Sequence, residues 1–91
     1  MADILIKLKV MPAGVDINLE NLQKTIEAKI KPNAKLIHSI SKEPVAFGLV
    51  SLVFTFLADE NKINLENLEN NIRSLPEIQS VEVIDVRRAV G

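Results

Sequence analysis

The sequence has no cysteine and only one histidine, and these two shortages remove most metal and thiol chemistry. Without cysteine the chain forms no disulfide, carries no nucleophilic thiolate and offers no sulfur ligand to zinc. The single histidine, His38, disfavours a histidine-based metal site and is expected to be a structural residue of an edge strand. The acidic loop 59–62 lacks the ligand spacing of a calcium loop. We therefore expect no cofactor, no metal and no catalytic side chain.

Aromatic residues are also scarce, since the chain has three phenylalanines and neither tryptophan nor tyrosine. The core must then be built mainly from aliphatic side chains. The charges nearly cancel, with 11 lysines and arginines against 12 aspartates and glutamates. This balance lacks the basic excess that is typical of nucleic-acid-binding domains.

Long apolar runs are missing as well, because no stretch approaches the ~20 residues of a membrane span. The first residues also lack the basic and then apolar layout of a secretory signal. A chain of 91 residues is enough for one small hydrophobic core. We expect a single soluble, cytoplasmic domain over residues 1–91, monomeric when free, without direct contact to nucleic acid or membrane.

A six-residue string, Ile-Asn-Leu-Glu-Asn-Leu, occurs twice, at residues 17–22 and 63–68. In both copies an asparagine, Asn18 or Asn64, precedes an apolar stripe of helical spacing and is predicted to cap a helix. The stripes consist of Leu19, Leu22, Ile26 and Ile30 in the first copy and Leu65, Leu68, Ile72 and Leu75 in the second. On the first helix, Glu20–Lys24 and Glu27–Lys31 are spaced as ion pairs.

Four segments flank these helices and are predicted to be strands. Alternating apolar residues mark residues 4–10 and 49–57 most strongly, whereas 35–41 and 81–88 are weaker. In the last segment the alternation changes phase between Val83 and Ile84, which predicts a β-bulge or a strand covered on both faces.

The resulting order, β-α-β-β-α-β, predicts an α+β fold, a two-layer ferredoxin-like sandwich with both helices on one face of a four-stranded antiparallel sheet. Right-handed crossovers place the first and third strands at the centre and the other two at the edges. The other sheet face retains Leu5, Leu49, Val53 and Leu57 among polar residues. Such a face is either ordinary exposed surface, covered by a tail, or bound by a partner.

The most informative segment is the loop 43–49, in which Phe47 lies between Pro44 and Gly48. Proline stiffens the backbone and glycine allows conformations or close approaches that other residues disfavour. An aromatic side chain on a stiff loop is suited to recognition because few rotors are immobilised on binding. The alternative is a hairpin turn whose phenylalanine caps the end of the core.

Two adjacent cations, Arg87 and Arg88, form a second candidate site at the end of the last strand. They are either solvated edge charges or a short basic arm for an anionic or metal-containing site of a partner.

Ferredoxin-like domains serve unrelated functions, so the function must be inferred from particular residues and not from the fold. A metal chaperone of this fold needs a cysteine pair, and an acylphosphatase-like enzyme needs an arginine in the loop 11–16; both are missing. An RNA-recognition module stacks bases on strand aromatics, and only Phe47 stands near such a position. A regulatory domain that senses small molecules lacks a sharp motif and remains the alternative function.

The string Glu-Pro-Val-Ala-Phe-Gly-Leu-Val-Ser-Leu, at residues 43–52, resembles the signature of the archaeal elongation factor 1-beta family. Residues 9–12 and 83–88 fall in matching places, so that the resemblance covers essentially the whole chain. It implies a guanine-nucleotide exchange factor that promotes GDP release from the translation elongation GTPase, elongation factor 1-alpha, so that GTP can rebind.

The same resemblance places Phe47 at the partner interface and makes Gly48 a position shared with eukaryotic members. Those members end with a lysine just before the last residue, which enters the magnesium site of the GTPase, and this chain has Val90 there. Either Arg87 or Arg88 replaces that lysine, or the metal is displaced indirectly. The predicted partner-binding residues are Glu43, Pro44, Val45, Ala46, Phe47, Gly48, Arg87 and Arg88.

Overall fold

The fold is an open four-stranded antiparallel sheet with two helices, seen in a computed structural model that describes residues 3–89. The elements are β1 (Asp3–Pro12), α1 (Leu19–Ile30) with a 3-10 turn (Lys31–Asn33), β2 (Leu36–Pro44), β3 (Val50–Asp59), α2 (Leu65–Arg73) and β4 (Ile78–Arg88). The strand order is β2-β3-β1-β4. The predicted ferredoxin-like sandwich is confirmed, including its two central strands.

Both helices begin as the repeated string predicts. The side-chain oxygen of Asn18 accepts the backbone N–H of Asn21 at 3.1 Å, and that of Asn64 accepts the N–H of Asn67 at 3.0 Å. Each bond satisfies one of the amide donors that a helix start leaves unpaired. The N-cap assignments are therefore confirmed.

The core lies between the helices and one face of the sheet. The two predicted stripes supply Leu22, Ile26 and Ile30 from α1 and Leu68 and Ile72 from α2, all buried. They pack with a cluster from the central strands that includes Phe54 and Phe56, both fully buried. Two of the three phenylalanines are thus used in the core.

The predicted ion pairs along α1 are absent from the salt bridges of residues 3–89. Glu27 instead accepts a hydrogen bond from the side-chain amide of Gln23 at 3.0 Å. Exposed pairs of this kind contribute only a few tenths of a kcal/mol, so their absence has little effect on the helix.

The phase change in the last strand is a bulge, as expected. Lys7 lies opposite Asp85 and Leu8 lies opposite Val83, which leaves Ile84 without a partner on β1. Two further register shifts have no counterpart in the prediction. One is at His38 in β2, where Ile37 pairs with Phe56 and Ser39 with Thr55, and the other is at Gln79 in β4. The period-two pattern of β2 is too weak to reveal the shift at His38.

Two edge strands are longer than predicted. β2 continues to Pro44 and β4 begins at Ile78. The prediction ended or began these strands where polar residues replace apolar ones. An edge strand is stabilised by backbone pairing on one side and tolerates exposed polar side chains, so composition underestimates its length.

Candidate functional site

The loop between β2 and β3 is a tight hairpin turn at one end of the sheet, here called the tip. The N–H of Leu49 donates to the carbonyl of Ala46, and the N–H of Val45 donates to the carbonyl of Leu49, both at 2.9 Å. The two residues between Ala46 and Leu49 have positive φ angles, 54° at Phe47 and 79° at Gly48. Positive φ at both central positions is the pattern of a type I′ turn, whose twist suits a hairpin.

Phe47 is the residue that this turn exposes. Its relative exposure is 96%, so it does not cap the end of the core, and that alternative is wrong. It is also the only non-glycine residue with positive φ among residues 3–89. The left-handed conformation costs about 1–2 kcal/mol for a residue with a side chain. An exposed phenylalanine gains no burial in return, and strain without folding benefit is typical of functional positions.

Glycine at position 48 was expected to allow either an unusual backbone conformation or a close approach of another group, and the structure supports the first. Its φ of 79° lies in the region that favours glycine. A Cβ atom at this position would lie 3.5 Å from Cγ1 of Val15, an ordinary van der Waals distance. Conformation, rather than a lack of space, therefore explains the glycine.

The other predicted loop residues surround the turn. Pro44 pairs with Val50 at the end of β2, so it stiffens the strand where the turn begins. Glu43 is held by Lys9 of β1, with 3.6 Å between the carboxylate and the ammonium group. Val45 and Ala46 are exposed. All six loop residues thus lie together at the tip, and all six are accessible.

Arg87 and Arg88 lie at the opposite end of the sheet. In the ladder Arg87 is opposite Leu5 and Arg88 is opposite Ile4, whereas the tip lies beyond the pair Val10–Leu52. Five strand positions from Leu5 to Val10 span roughly 17 Å at the usual rise per residue. The structure therefore divides the predicted residues between two separate surfaces.

The two arginines are part of the sheet and not of a loose arm. The ladder continues past them, because the N–H of Ala89 donates to the carbonyl of Asp3 at 2.9 Å. Each arginine also has an acidic neighbour. The guanidinium group of Arg87 lies 2.8 Å from the carboxylate of Asp85, and that of Arg88 lies 3.6 Å from the carboxylate of Glu60. Val90 and Gly91, the rest of the predicted tail, lie outside the described residues.

The surroundings of this basic end are mixed in charge. Lys35 contacts Asp3 at 2.8 Å. The hydrogen bond and the charge of Asp3, with a further contribution from Asp59, raise the pKa of Lys35 above its ordinary value. A binding site here would consist of the two guanidinium groups among carboxylates, and not of a general positive patch.

The residues 3–89 offer little support for other chemistry. They contain no group of three or more histidine, cysteine or acidic side chains that could hold a metal ion. An open groove of about 560 Å³ runs between α1 and β2, and His38 lines it together with Glu27, Lys31 and Lys35. His38 is exposed at the bulge of its strand. None of the described helices is long and apolar enough to cross a membrane.

The fold and its two exposed surfaces define a small α+β recognition domain, and comparison with known proteins gives its family. Residues 5–89 match the EF-1 guanine nucleotide exchange domain, and the chain belongs to this family. The expectation drawn from the signature at residues 43–52 is confirmed.

Relatives from several archaea match over almost their whole length. Elongation factor 1-beta of Methanosphaera stadtmanae is 43% identical over 97% of this chain and 98% of its own. The protein of the same name from Methanocaldococcus jannaschii is 32% identical over 98% of this chain and 100% of its own. A third, from Staphylothermus marinus, is 37% identical over 97% of this chain and 98% of its own.

Among solved structures, BlrP1 BLUF aligns with a TM-score of 0.56 at 14% sequence identity. The alignment covers 100% of this chain and 57% of that one. At such low identity the match concerns the fold alone.

Proposed function

We propose that this chain, a guanine nucleotide exchange domain, accelerates GDP release from elongation factor 1-alpha by contacting it with both ends of its sheet. The tip, residues 43–48, supplies an apolar anchor, and the basic end supplies a charge contact through Arg87 or Arg88. The observation that carries the proposal is Phe47, which is strained and 96% exposed in a family whose members act on a GTPase. A partner that buries this ring supplies the favourable free energy of apolar burial that the isolated domain does not obtain from it.

The mechanism is negative coupling between two ligands of the GTPase. If the exchange factor weakens nucleotide binding, the nucleotide must weaken binding of the exchange factor by the same factor. A thousandfold faster release corresponds to about 4 kcal/mol of lowered barrier. One buried aromatic anchor with one or two charge contacts supplies energy of that order.

The two ends have different tasks in this mechanism. The tip anchors the complex through apolar burial. The guanidinium group of Arg87 or of Arg88 competes with magnesium for carboxylates of the GTPase or holds a phosphate-facing loop open. A rigid sheet keeps the ends roughly 17 Å or more apart, so they engage separate surfaces of the partner at once.

The domain's own side chains perform no covalent step and need no cofactor in this mechanism. It acts on the GTPase as a monomeric single domain, in the cytoplasm where translation takes place, without binding nucleic acid or membrane itself.

The test is release of a fluorescent GDP analogue from elongation factor 1-alpha, with and without this protein. We expect Phe47→Ala to slow the stimulated release at least about tenfold, the loss typical of an interface anchor. Ile84→Ala is the matched control, because Ile84 is an exposed apolar residue at the bulge of β4, away from both the tip and the two arginines. GDP release that is no faster with the wild-type chain than without it would contradict the proposal. So would a Phe47→Ala variant that unfolds at much lower temperature yet keeps full specific activity.

A further inference from the structure

The loop between β1 and α1 reaches the tip from a different part of the sequence. Its residue Val15 lies beside the turn: a Cβ atom on Gly48 would be 3.5 Å from Cγ1 of Val15, which is van der Waals contact. Gly48 directly follows Phe47. The side chain of Val15 therefore borders the segment that presents the aromatic ring.

Val15 is held in this place by the structure of its loop. The N–H of Ala13 donates to the carbonyl of Glu77 at 2.8 Å, which fixes the start of the loop to the segment before β4. At the other end Ile17 packs against the core and Asn18 caps α1. Val15 lies between these two anchors, so its position is set by contacts on both sides.

Val15 is nevertheless 68% exposed. The large hydrophobic residues that residues 3–89 expose are Val15, Leu36, Val45, Phe47, Ile84 and Val86. Half of them, namely Val15, Val45 and Phe47, belong to the two loops that meet at the tip. Apolar exposure concentrated at one end marks an interaction surface more strongly than single exposed residues do.

We propose that Val15 is a contact residue for elongation factor 1-alpha, and that Val15, Val45 and Phe47 form one apolar surface that enters an apolar site on the GTPase. This inference rests on the proposed function. The occupant is the GTPase because the surface is continuous with the Phe47 turn. The turn is strained and exposed in a chain of the exchange-domain family. Val15 extends that contact to a second loop, so recognition depends on both.

The experiment places a charge in the middle of this surface. Val15→Asp is compared with Ile84→Asp, which puts the same charge on an exposed apolar residue at the bulge of β4, between the tip and the row of the arginines. The readouts are thermal unfolding, the stimulated rate of GDP release, and the concentration of exchange factor that gives half of the maximal rate.

We expect Val15→Asp to raise the half-maximal concentration at least about tenfold, since burying an unpaired charge in an interface is strongly unfavourable. Its melting temperature should stay close to that of the wild type, and Ile84→Asp should leave exchange unchanged. Val15→Ala should have a smaller effect in the same direction, and it should still weaken exchange when combined with Phe47→Ala. This additional loss would distinguish a direct contact from mere support of the turn.

Two outcomes would overturn the inference without removing the proposed exchange activity. One is a Val15→Asp variant with wild-type exchange beside a Phe47→Ala variant that is impaired. The other is a wild-type chain that sediments as a dimer which Val15→Asp dissociates, since the surface would then bind a second copy. If the wild-type chain fails to stimulate GDP release at all, the proposed function itself fails, and this result is separate from the other two.

Discussion

Arg87 and Arg88 are neighbours in sequence, but their partners in the ladder, Leu5 and Ile4, lie on opposite faces of the sheet. Arg88 lies opposite Ile4, on the face covered by the helices, and contacts Glu60 at 3.6 Å. Arg87 lies opposite Leu5, on the face away from the helices, and contacts Asp85 at 2.8 Å. A partner that approaches one face meets only one of the two charges.

This division predicts unequal effects of the two single substitutions. We expect one of Arg87→Ala and Arg88→Ala to slow stimulated GDP release about tenfold or more, as loss of a hydrogen bond to a charged group does. The other should act nearly as the wild type. Both should leave the free energy of unfolding within about 0.5 kcal/mol, because exposed ion pairs contribute little.

Salt provides an independent check of the same contacts. Exchange by the wild-type chain should weaken as ionic strength rises from about 0.05 to 0.3 M, because exposed charge contacts are screened. The impaired arginine variant should show a shallower dependence. Equal rates for both single variants and the double variant at low and high salt would remove the basic end from the mechanism.

The sequence predicts most of this fold because its helices and central strands have strong local signals. Asn18 and Asn64 stand at helix starts before clean apolar stripes, and Phe54 and Phe56 fall on the buried face of an alternating strand. The edge strands are predicted less well, since their pairing is non-local. The bulge at His38 follows from its partner strand and has no local signal.

The sequence predicts which residues belong to the candidate site, but it does not predict how they are arranged in space. Phe47 stands out because it is an aromatic between Pro44 and Gly48. Its positive φ could have been inferred from a glycine at the second position of a two-residue hairpin loop. By contrast, the neighbourhood of Val15 depends on the packing of two loops distant in sequence, and no periodicity encodes it. The separation of the arginines from the tip likewise appears only once the register is known.

Gly48→Ala tests the conformational argument at the turn. We expect it to lower the free energy of unfolding by about 1 kcal/mol, because alanine is disfavoured at a φ of 79°. No clash adds to this loss, since the new methyl group would lie 3.5 Å from Val15. Urea unfolding measures the change. A loss several times larger would show that the turn has no room for a methyl group.

The cap of α2 offers a paired test on one helix. Asn64→Ala removes the acceptor for the N–H of Asn67 and should lower the free energy of unfolding by about 1 kcal/mol. Asn71→Ala makes the same chemical change at an exposed position inside the helix, where alanine is the better helix former. It should raise stability by a few tenths of a kcal/mol. Opposite signs in urea unfolding would confirm the cap, and equal signs would contradict it.

Phe47→Asn separates the folding role of the turn from its function. Asparagine followed by glycine is the preferred pair of a type I′ turn and tolerates positive φ, so the substitution relieves the strain at this residue. Little apolar burial is lost, because the ring is 96% exposed. We therefore expect the free energy of unfolding to rise by about 0.5–1 kcal/mol while stimulated GDP release falls at least about tenfold. Phe47→Ala is the matched control, since it removes the ring but keeps a strained side chain; it should lose exchange without gaining stability. If Phe47→Asn were destabilising, the ring would have a folding role that its exposure does not reveal. If instead the variant were stabilised and fully active, Phe47 would not be the anchor of the exchange interface.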